Sequence, residues 1–218
     1  MATSTVENYL KALFNIANEN GEVNISDLSN HLEVSKPTVN SMVKTLNQEG
    51  YVTYEKYKPL KLEDKGRKAG ALIIRKHRLT EMFLVEQMGF GWEDVHEIAE
   101  QIEHIKSSAF FDRMDQIMDY PKVDPHGSPI PDKSGNIIQQ NYKKLSECNV
   151  GDIVNVVALS NSTRQFLEFL VSREIALKTQ IHIKDIETFD NSMLVSYGAH
   201  SSETLTEKVC EKLLVEKL

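Results

Sequence analysis

The chain has 218 residues, 40% of them hydrophobic, and a formal net charge of −7. This length and composition suit a globular protein with more than one compact unit. No apolar run approaches the roughly 20 residues of a membrane-spanning helix, and the N-terminus lacks the pattern of a signal peptide, so we expect a cytoplasmic protein without a membrane partner. Cys148 and Cys210 lie far apart in the sequence, which favours free thiols over a disulfide or a zinc knuckle.

The first 65 residues predict a winged helix-turn-helix. Apolar residues at helical spacing predict a first helix from about Thr3 to Asn18. A second, short helix is expected from its N-cap Ser26 to Leu32, and a third over Lys36 to Gln48. Two strand-like runs, Tyr51 to Tyr54 and Leu60 to Leu62, are expected to pair as a hairpin.

The third helix and the hairpin have the chemistry of a DNA-binding surface. Residues 33 to 68 carry eight basic and five acidic side chains, a local basic excess in an acidic chain. Short polar and basic side chains on such a helix reach base edges and phosphates in the major groove. A hairpin that only packs or dimerises is the alternative. The predicted DNA-binding residues are Ser35 as N-cap, Pro37 in the first turn, Lys36, Thr38, Asn40, Ser41, Lys44, and Lys56 and Lys58 of the hairpin.

Residues 96 to 104 contain histidine and glutamate side chains, which are common metal ligands. Three of them follow His96 at offsets of four, seven and eight residues. On a helix, these offsets bring side chains back to nearly the same side, where two carboxylates and two imidazoles converge. Glutamate and histidine are also common on solvated helix faces, so an ordinary surface stripe is the alternative. The candidate ligands are His96, Glu100, Glu103 and His104.

A second pair of the same kind favours metal binding. His77 and Glu81 are four residues apart in a segment from about Lys65 to Met88, which is rich in helix-forming and apolar residues. Two neighbouring helices that each carry a His/Glu pair are harder to explain as ordinary surface than one. The sequence therefore predicts cation binding by the helical region that follows the winged helix-turn-helix.

The rest of the chain predicts a connector and a small β domain. Residues 120 to 131 hold four of the six prolines, which predicts an irregular connector. Short alternating runs, Ile153 to Val157, Gln180 to Ile186 and Met193 to Tyr197, predict strands of a small β-barrel-like domain. The predicted fold is thus mainly α with small β parts, in three domains: a winged helix-turn-helix at 1–65, a helical domain with the Pro-rich connector at 66–141, and a β-barrel-like domain at 142–218.

Several motifs together resemble the diphtheria toxin repressor family of metal-dependent transcriptional regulators, along the full length of the chain. This family includes iron-dependent repressors and manganese transport regulators. The C-terminal part, with Leu145-Ser146-Glu147 and Gly151-Asp152, resembles the SH3-like, FeoA-like domain of longer members. The other matching motifs are Glu7-Asn8-Tyr9-Leu10, Ser35-Lys36-Pro37-Thr38-Val39, Arg75-Lys76-His77-Arg78-Leu79-Thr80-Glu81, Val95-His96 through Glu103-His104, and Asp124-Pro125-His126-Gly127-Ser128-Pro129-Ile130-Pro131.

The resemblance implies a homodimer whose middle helices pair and which binds palindromic operators in double-stranded DNA upstream of metal-uptake genes. It implies a principal metal site that joins the first helix to the Glu/His segment. At this site Glu100, Glu103 and His104 match the family's ligands, and Asn8 takes the position that supplies a ligand from the first helix.

A further metal site is implied as well. His77, Glu81 and His96 match a site of the iron-type members, whereas in manganese-type members His77 joins a metal pair. The turn Ser160 to Gln165 lies where relatives supply a carboxylate or amide to the further site. Gln165 is the expected ligand there, ahead of Glu168.

Three positions bear on the choice of metal. Iron-type members have a cysteine where Glu100 stands and manganese-type members a glutamate, so Glu100 favours manganese. Asn8 replaces a methionine or an aspartate of relatives, and its amide oxygen is a weaker, uncharged ligand. Lys11 falls where manganese-type members have a glutamate that binds the second ion of their pair. Because a protonated lysine is no ligand, a close binuclear centre is not expected.

The sequence therefore predicts a cytoplasmic, dimeric, metal-dependent transcriptional repressor that binds Mn(II), with Fe(II) as the alternative effector. Co(II) or Zn(II) is expected to substitute in vitro. Metal binding is expected to favour the dimer geometry that fits DNA. A metal-dependent hydrolase is disfavoured because no nucleophile motif is recognisable, so we expect no enzyme. A regulator that senses a non-metal signal is the other alternative.

Overall fold

The computed structural model describes residues 3–56, 58–138, 140–160 and 162–218. Contacts group the chain into two compact units, which are described separately. The first unit comprises Met1–Thr80, Ile98–Lys122 and Ile130–Ile138, and the second comprises Glu81–Glu97, Val123–Pro129 and Gln139–Leu218. Among the described residues, no helix has the length and apolar character needed to cross a membrane.

The first unit begins with helix α1, Ser4–Asn20, which agrees with the predicted first helix. Its N-cap is Thr3, whose hydroxyl accepts a hydrogen bond from the Val6 N–H over 3.3 Å. Leu10 and Leu13 on its apolar face are fully buried in the core of this unit. The opposite face keeps its polar side chains available for the site described below.

Helix α2, Ile25–His31, starts earlier than predicted. Its N-cap is Asn24, so the prediction that Ser26 caps this helix is wrong. The reason is that the Asn24 carbonyl already accepts the Leu28 N–H over 3.1 Å, which places Ser26 inside the first turn. The Asn24 side chain makes no capping bond and donates instead to the Asp27 carboxylate over 3.2 Å.

Helix α3, Lys36–Gln48, has the predicted bounds. The Ser35 hydroxyl accepts the Thr38 N–H as predicted for an N-cap, over 3.4 Å, and a proline stands at the start of the helix. Val39, Val43 and Leu46 are completely buried and fix the inner face. The outer face of α3 is therefore left to polar residues.

A small hairpin follows α3 and is called the wing here. It consists of β1, Val52–Thr53, and β2, Lys61–Leu62, paired antiparallel, with residues 54–60 between them. The strands are shorter than predicted because the Tyr54 N–H bonds to the Asn47 side chain instead of a partner strand. A bridge between Val23 and Leu60 attaches the wing to the segment before α2. The helix-turn-helix and its wing are thus confirmed.

Three helices follow: α4, Asp64–Met88, α5, His96–Ile102, and α6, Ser108–Ile117. The prediction that one helix carries all four ligands of residues 96 to 104 is wrong for its last two residues, because Glu103 and His104 lie in the turn after α5. The chain tightens there as the Ile105 N–H bonds to the Ile102 carbonyl over 2.9 Å. Lys76 of α4 secures this turn by donating to the carbonyls of Glu103 and Ile105.

The second unit contains a six-stranded antiparallel sheet of order β3-β8-β4-β5-β6-β7. The predicted strands are confirmed, and short helices that were not predicted lie between strands. Its elements are β3, Lys143–Lys144, a 3-10 helix, Leu145–Glu147, β4, Ile153–Leu159, α7, Arg164–Val171, β5, Gln180–Ile186, β6, Met193–Tyr197, β7, His200–Leu205, α8, Glu207–Cys210, and β8, Leu213–Lys217. The predicted turn from Ser160 to Gln165 is wrong at its end, because α7 begins at Arg164; residue 161 is outside the described residues. The core side chains alternate along the strands, as in Val154 and Val156 of β4.

Candidate metal centre and nucleic-acid surface

The first unit gathers a group of charged side chains that we call the first cluster: Glu7, Lys11, His77, Glu100, Glu103 and His104. Glu7 and Lys11 are one turn apart on α1, so they share a face of that helix. The Lys11 ammonium lies 2.5 Å from Glu100 Oε1 and 2.8 Å from Glu103 Oε2. Residues distant in sequence therefore converge on the end of α5.

Glu103 is the buried centre of the first cluster, with a side chain that has no exposed surface. Its Oε2 lies 2.6 Å from His77 Nδ1. A lone pair on that nitrogen would face a carboxylate oxygen at this distance, so we infer that Nδ1 carries a proton and donates it. Burial raises the pKa of Glu103, but the hydrogen bond from His77 and the charge of Lys11 outweigh burial and lower the pKa below its ordinary value. Glu103 is therefore an anion.

The other oxygen of this carboxylate, Glu103 Oε1, is buried and has no hydrogen-bond partner among the residues that the structure describes. His104 Nε2 lies 4.0 Å from it. His104 Nδ1 lies 2.6 Å from Glu7 Oε2 and donates to it, which leaves the lone pair on Nε2. Two ligand atoms that each lie about 2.1 Å from a shared ion are separated by up to roughly 4.2 Å, so this pair fits one cation.

The structure brings Glu100, Glu103 and His104 together, as the sequence predicted, but Asn8 lies on the exposed side of α1. The α1 side chains that reach the cluster are Glu7 and Lys11. Sequence reasoning missed Glu7, although its spacing of four from Lys11 placed both on one helix face. A ligand role for Asn8 stays a prediction.

The second unit holds a second cluster of Glu81, Asp124 and His126, all buried, in which one ligand atom of each lies within 4.8 Å of the others. His126 Nε2 lies 2.9 Å from the Trp92 carbonyl, which only accepts, so the proton is on Nε2. The lone pair on Nδ1 is then directed into the cluster, 4.0 Å from Glu81 Oε2. A buried imidazole lone pair beside carboxylates suits a divalent cation.

The turn of the predicted connector positions two members of this cluster. Asp124 Oδ1 accepts the backbone N–H groups of His126 and Ser128, each over 2.9 Å. Sequence reasoning used this motif only for the resemblance and did not single out Asp124 or His126 as ligands. The signal available was a histidine and an aspartate two residues apart in a tight turn.

The other residues predicted for a further site are placed as follows. His96 is exposed, and its Nδ1 lies 3.2 Å from Glu81 Oε1. His77 belongs to the first unit, whereas Glu81 and His96 belong to the second. Gln165 is exposed in the first turn of α7. The ligand roles of these four residues stay predictions.

The predicted DNA-binding residues on α3 are exposed, apart from Asn40, which is half-buried. The Asn40 amide donates to the Lys36 carbonyl over 2.9 Å, and its oxygen accepts from the Tyr54 hydroxyl over 3.1 Å. Asn40 therefore also joins α3 to the wing. The outward residues on α3 and at its N-cap are Ser35, Lys36, Pro37, Thr38, Ser41 and Lys44.

The two lysines of the wing that were predicted to bind DNA, Lys56 and Lys58, are also exposed. Lys58 Nζ lies 2.5 Å from the Glu55 carboxylate, which neutralises part of its charge. An exposed pair of this kind is weak, so a phosphate can compete for the ammonium. The electrostatics of the wing thus depend on an acidic residue that the sequence reasoning did not weigh.

Comparisons with known proteins find a DNA-binding domain and a metal-binding domain in the parts of the chain that hold α3 and most of the first cluster. The family model "Iron dependent repressor, N-terminal DNA binding domain" matches residues 1–60, and "Iron dependent repressor, metal binding and dimerisation domain" matches residues 63–132. The chain is 28% identical to the iron-dependent repressor IdeR of Mycobacterium leprae, over 98% of this chain and 97% of that protein. It is 34% identical to the HTH-type transcriptional regulator MntR of Geobacillus kaustophilus, over 57% of this chain and 87% of that protein.

A solved structure of a manganese-dependent transcriptional repressor in complex with manganese is also similar. It superposes with a TM-score of 0.85 at 29% identity and covers 98% of this chain and 100% of its own. The repressor ScaR with bound Zn2+ superposes with a TM-score of 0.79 at 29% identity, over 98% of this chain and 99% of its own. These matches extend over both compact units.

Proposed function

The chain belongs to the diphtheria toxin repressor family of metal-dependent transcriptional regulators, and we propose that it is a Mn(II)-responsive repressor of metal-uptake genes. Members of this family bind DNA and divalent metals and are not enzymes. The observation that carries the proposal is the buried Glu103 Oε1, which has no hydrogen-bond partner in the described part of the chain and faces His104 Nε2. A buried anionic oxygen without a partner is costly unless a cation completes its surroundings.

The principal site is formed in this proposal by Glu100, Glu103 and His104. A divalent cation held there supplies positive charge to the buried carboxylate. Glu7 holds His104 with its lone pair towards Glu103, and Lys11 binds the other side of that carboxylate. Because Glu7 and Lys11 belong to α1, the ligands are tied to the DNA-binding part of the chain. Asn8 is kept as a candidate fourth ligand.

The ligand chemistry supports Mn(II) over Fe(II). Carboxylate oxygens with one imidazole form a hard donor set, and Mn(II) prefers such donors more strongly than the softer metals do. The named relatives include both iron-dependent and manganese-dependent repressors. Fe(II) is therefore the alternative effector. Co(II) and Zn(II) are expected to substitute in vitro, because they bind the same nitrogen and oxygen ligands with higher intrinsic affinity.

The second cluster is proposed as a second cation site within the second unit. Its support is the His126 Nδ1 lone pair, fixed by the bond from Nε2 to the Trp92 carbonyl, beside two buried carboxylates. His96 approaches Glu81 and is included as a candidate ligand. His77 and Gln165 remain candidates for a further site on the family pattern.

On DNA, we propose a cytoplasmic homodimer that binds a palindromic operator. The α3 residues enter the major groove and the wing lysines contact phosphates. The proposed domains are 1–65 for DNA binding, 66–141 for metal binding and dimerisation, and 142–218 as the SH3-like domain. Metal favours the DNA-binding geometry only to the extent that this geometry binds metal more tightly.

The test is DNA binding at buffered free Mn(II), Fe(II), Co(II) and Zn(II), with a duplex selected by the protein from a random pool. Glu103→Ala is expected to weaken Mn(II) binding at least about 10-fold and to abolish the metal dependence of DNA binding. Glu86→Ala, which removes an exposed carboxylate of α4, is the matched control. Unchanged metal-dependent DNA binding by Glu103→Ala would refute the principal site.

A further inference from the structure

We propose that the Lys11 ammonium is a built-in cation of the first cluster, which takes the place of one divalent ion and limits this cluster to a single metal ion per subunit. The proposal rests on the proposed function and specifies how many metal ions the first cluster binds. It concerns a residue that carries no ligand atom while protonated, so it acts through charge and position.

The contacts of Lys11 are those of a cation held by ligands. Its nitrogen lies 2.5 Å from Glu100 Oε1 and 2.8 Å from Glu103 Oε2, two carboxylate oxygens that accept from the ammonium. The side chain is only 13% exposed, so the ammonium has exchanged water for carboxylate oxygens. Such an exchange is favourable only where anionic partners surround the charge.

The charges of the first cluster balance with one divalent ion. Its carboxylates are those of Glu7, Glu100 and Glu103, and its fixed cation is Lys11. With neutral imidazoles, the three negative charges are matched by one ammonium and one divalent ion. A second divalent ion would leave two uncompensated positive charges in a largely buried site, which electrostatics disfavours.

The two carboxylate oxygens of Glu103 also divide between the ammonium and one metal ion. Lys11 occupies Glu103 Oε2, and the partner-free atom is Glu103 Oε1, which faces His104 Nε2 at 4.0 Å. One carboxylate therefore joins the ammonium on one side to a single place for a metal on the other. In metal-free protein, Lys11 holds α1 to Glu100 and Glu103, beside the hydrogen bond between Glu7 and His104.

The experiment measures bound Mn(II) on the full chain by equilibrium dialysis, together with the electron paramagnetic resonance spectrum of the bound ions. Lys11→Glu is expected to bind one more ion per subunit than the unsubstituted protein and to give the exchange-coupled spectrum of two neighbouring ions. Lys11→Met is expected to add no ion. Lys122→Glu makes the same change of charge at an exposed position and is the control, with no added ion.

Hydrogen exchange with a chelator present provides a second measurement that does not require the glutamate variant to fold. Amides of α1 are expected to exchange at least several-fold faster in Lys11→Met than in the unsubstituted protein. Equal exchange in both would overturn the anchoring role. Equal Mn(II) stoichiometry in Lys11→Glu and the unsubstituted protein, or a coupled spectrum of the latter, would overturn the single-ion limit. Failure of the unsubstituted protein as well as the variants to bind Mn(II) would instead refute the proposed function and this inference with it.

Discussion

Glu7 and His104 are joined by a hydrogen bond of 2.6 Å between the imidazole Nδ1 and the Glu7 carboxylate, although 97 residues separate them. The Glu7 side chain is 12% exposed and that of His104 is 22% exposed, so water competes little for this bond. A carboxylate that accepts from one ring nitrogen fixes the tautomer and directs the other nitrogen at a metal. In the proposed metal site, Glu7 would therefore position His104.

Removing this carboxylate is expected to weaken metal binding. Glu7→Ala leaves His104 free to rotate and to change tautomer, so we expect a loss of about 10- to 100-fold in Mn(II) affinity. Glu7→Gln retains an acceptor without the charge, so its Mn(II) affinity is expected to fall between that of Glu7→Ala and that of the unsubstituted protein. Titration with buffered Mn(II) measures the affinity, with Glu86→Gln as the control for loss of one exposed acidic charge. Full affinity in Glu7→Ala would show that His104 needs no partner.

The acidic residue of the wing is expected to oppose DNA binding. Glu55→Gln releases the Lys58 ammonium from its 2.5 Å ion pair, so we expect the affinity for DNA to rise about two- to five-fold at low salt. The gain is expected on the selected duplex and on random duplexes alike, because a phosphate contact carries no sequence information. Fluorescence anisotropy at two salt concentrations measures it.

Two controls accompany the wing variant. Lys58→Ala is expected to lower the affinity for both duplexes and to reduce the salt slope by about one. Glu86→Gln removes the same charge far along the chain from the wing and is expected to leave the affinity unchanged. If Glu86→Gln raises the affinity as much as Glu55→Gln does, total charge and not the Glu55–Lys58 pair is responsible.

Local signals were sufficient to predict α3. Ser35, a proline in the first turn and buried residues at 39, 43 and 46 lie within one helix, so the sequence alone determines its bounds. Three of the six strands of the C-terminal sheet, β4, β5 and β6, were predictable for the same reason, because alternation is a local property. Spacing also singled out Glu100, Glu103 and His104, which the structure places in the first cluster, and their role as ligands stays a prediction.

The end of α5 and the place of Glu7 in the first cluster depend on contacts between residues distant in sequence. The helical spacing of residues 96 to 104 continues through Glu103 and His104, but Lys76 and a tightened turn end α5 before them. The family pattern directed attention to Asn8, whereas the orientation of α1 brings Glu7 to His104. No local pattern gives the rotation of one helix against another, which is why the neighbour of the predicted residue carries the contact.

Gly127 is required where it stands, and its replacement is expected to destabilise the second unit. Its φ is +85°, and a Cβ there would lie 2.3 Å from the Val157 carbonyl oxygen and 2.5 Å from Ala158 Cα. Gly127→Ala therefore combines backbone strain with a clash against a strand, and we expect a loss of about 2 to 4 kcal/mol. Gly151 has a φ of +89° but open space around it, so Gly151→Ala is expected to cost only about 1 kcal/mol.

The only tryptophan reports on this unit, because Trp92 packs against its hydrophobic core. Urea unfolding, followed by the fluorescence of Trp92 in the presence of a chelator, gives the free energies of unfolding of Gly127→Ala and Gly151→Ala. The Leu159 N–H bonds to the His126 carbonyl over 2.9 Å, so Gly127→Ala is also expected to displace His126 and to weaken binding at the second cluster. Equal costs for the two glycine variants would contradict the clash.

Cys210 is expected to be chemically inert in the folded protein. Burial raises the pKa of this thiol from 9.0 to about 12, because the thiolate loses its hydration inside the core. The raised pKa favours the neutral thiol in the folded state, so its contribution to stability is complete below about pH 9 and is lost as the pH rises towards 12.

At pH 8.5 we expect iodoacetamide to leave Cys210 unmodified until urea unfolds the second unit. Burial also raises the pKa of Cys148, which has 9% of its surface exposed, so we expect it to react slowly but before Cys210. Mass spectrometry of the alkylated peptides separates the two thiols, and modification of Cys210 in the folded protein at the rate of the unfolded chain would show that the second-unit core opens far more readily than its packing implies.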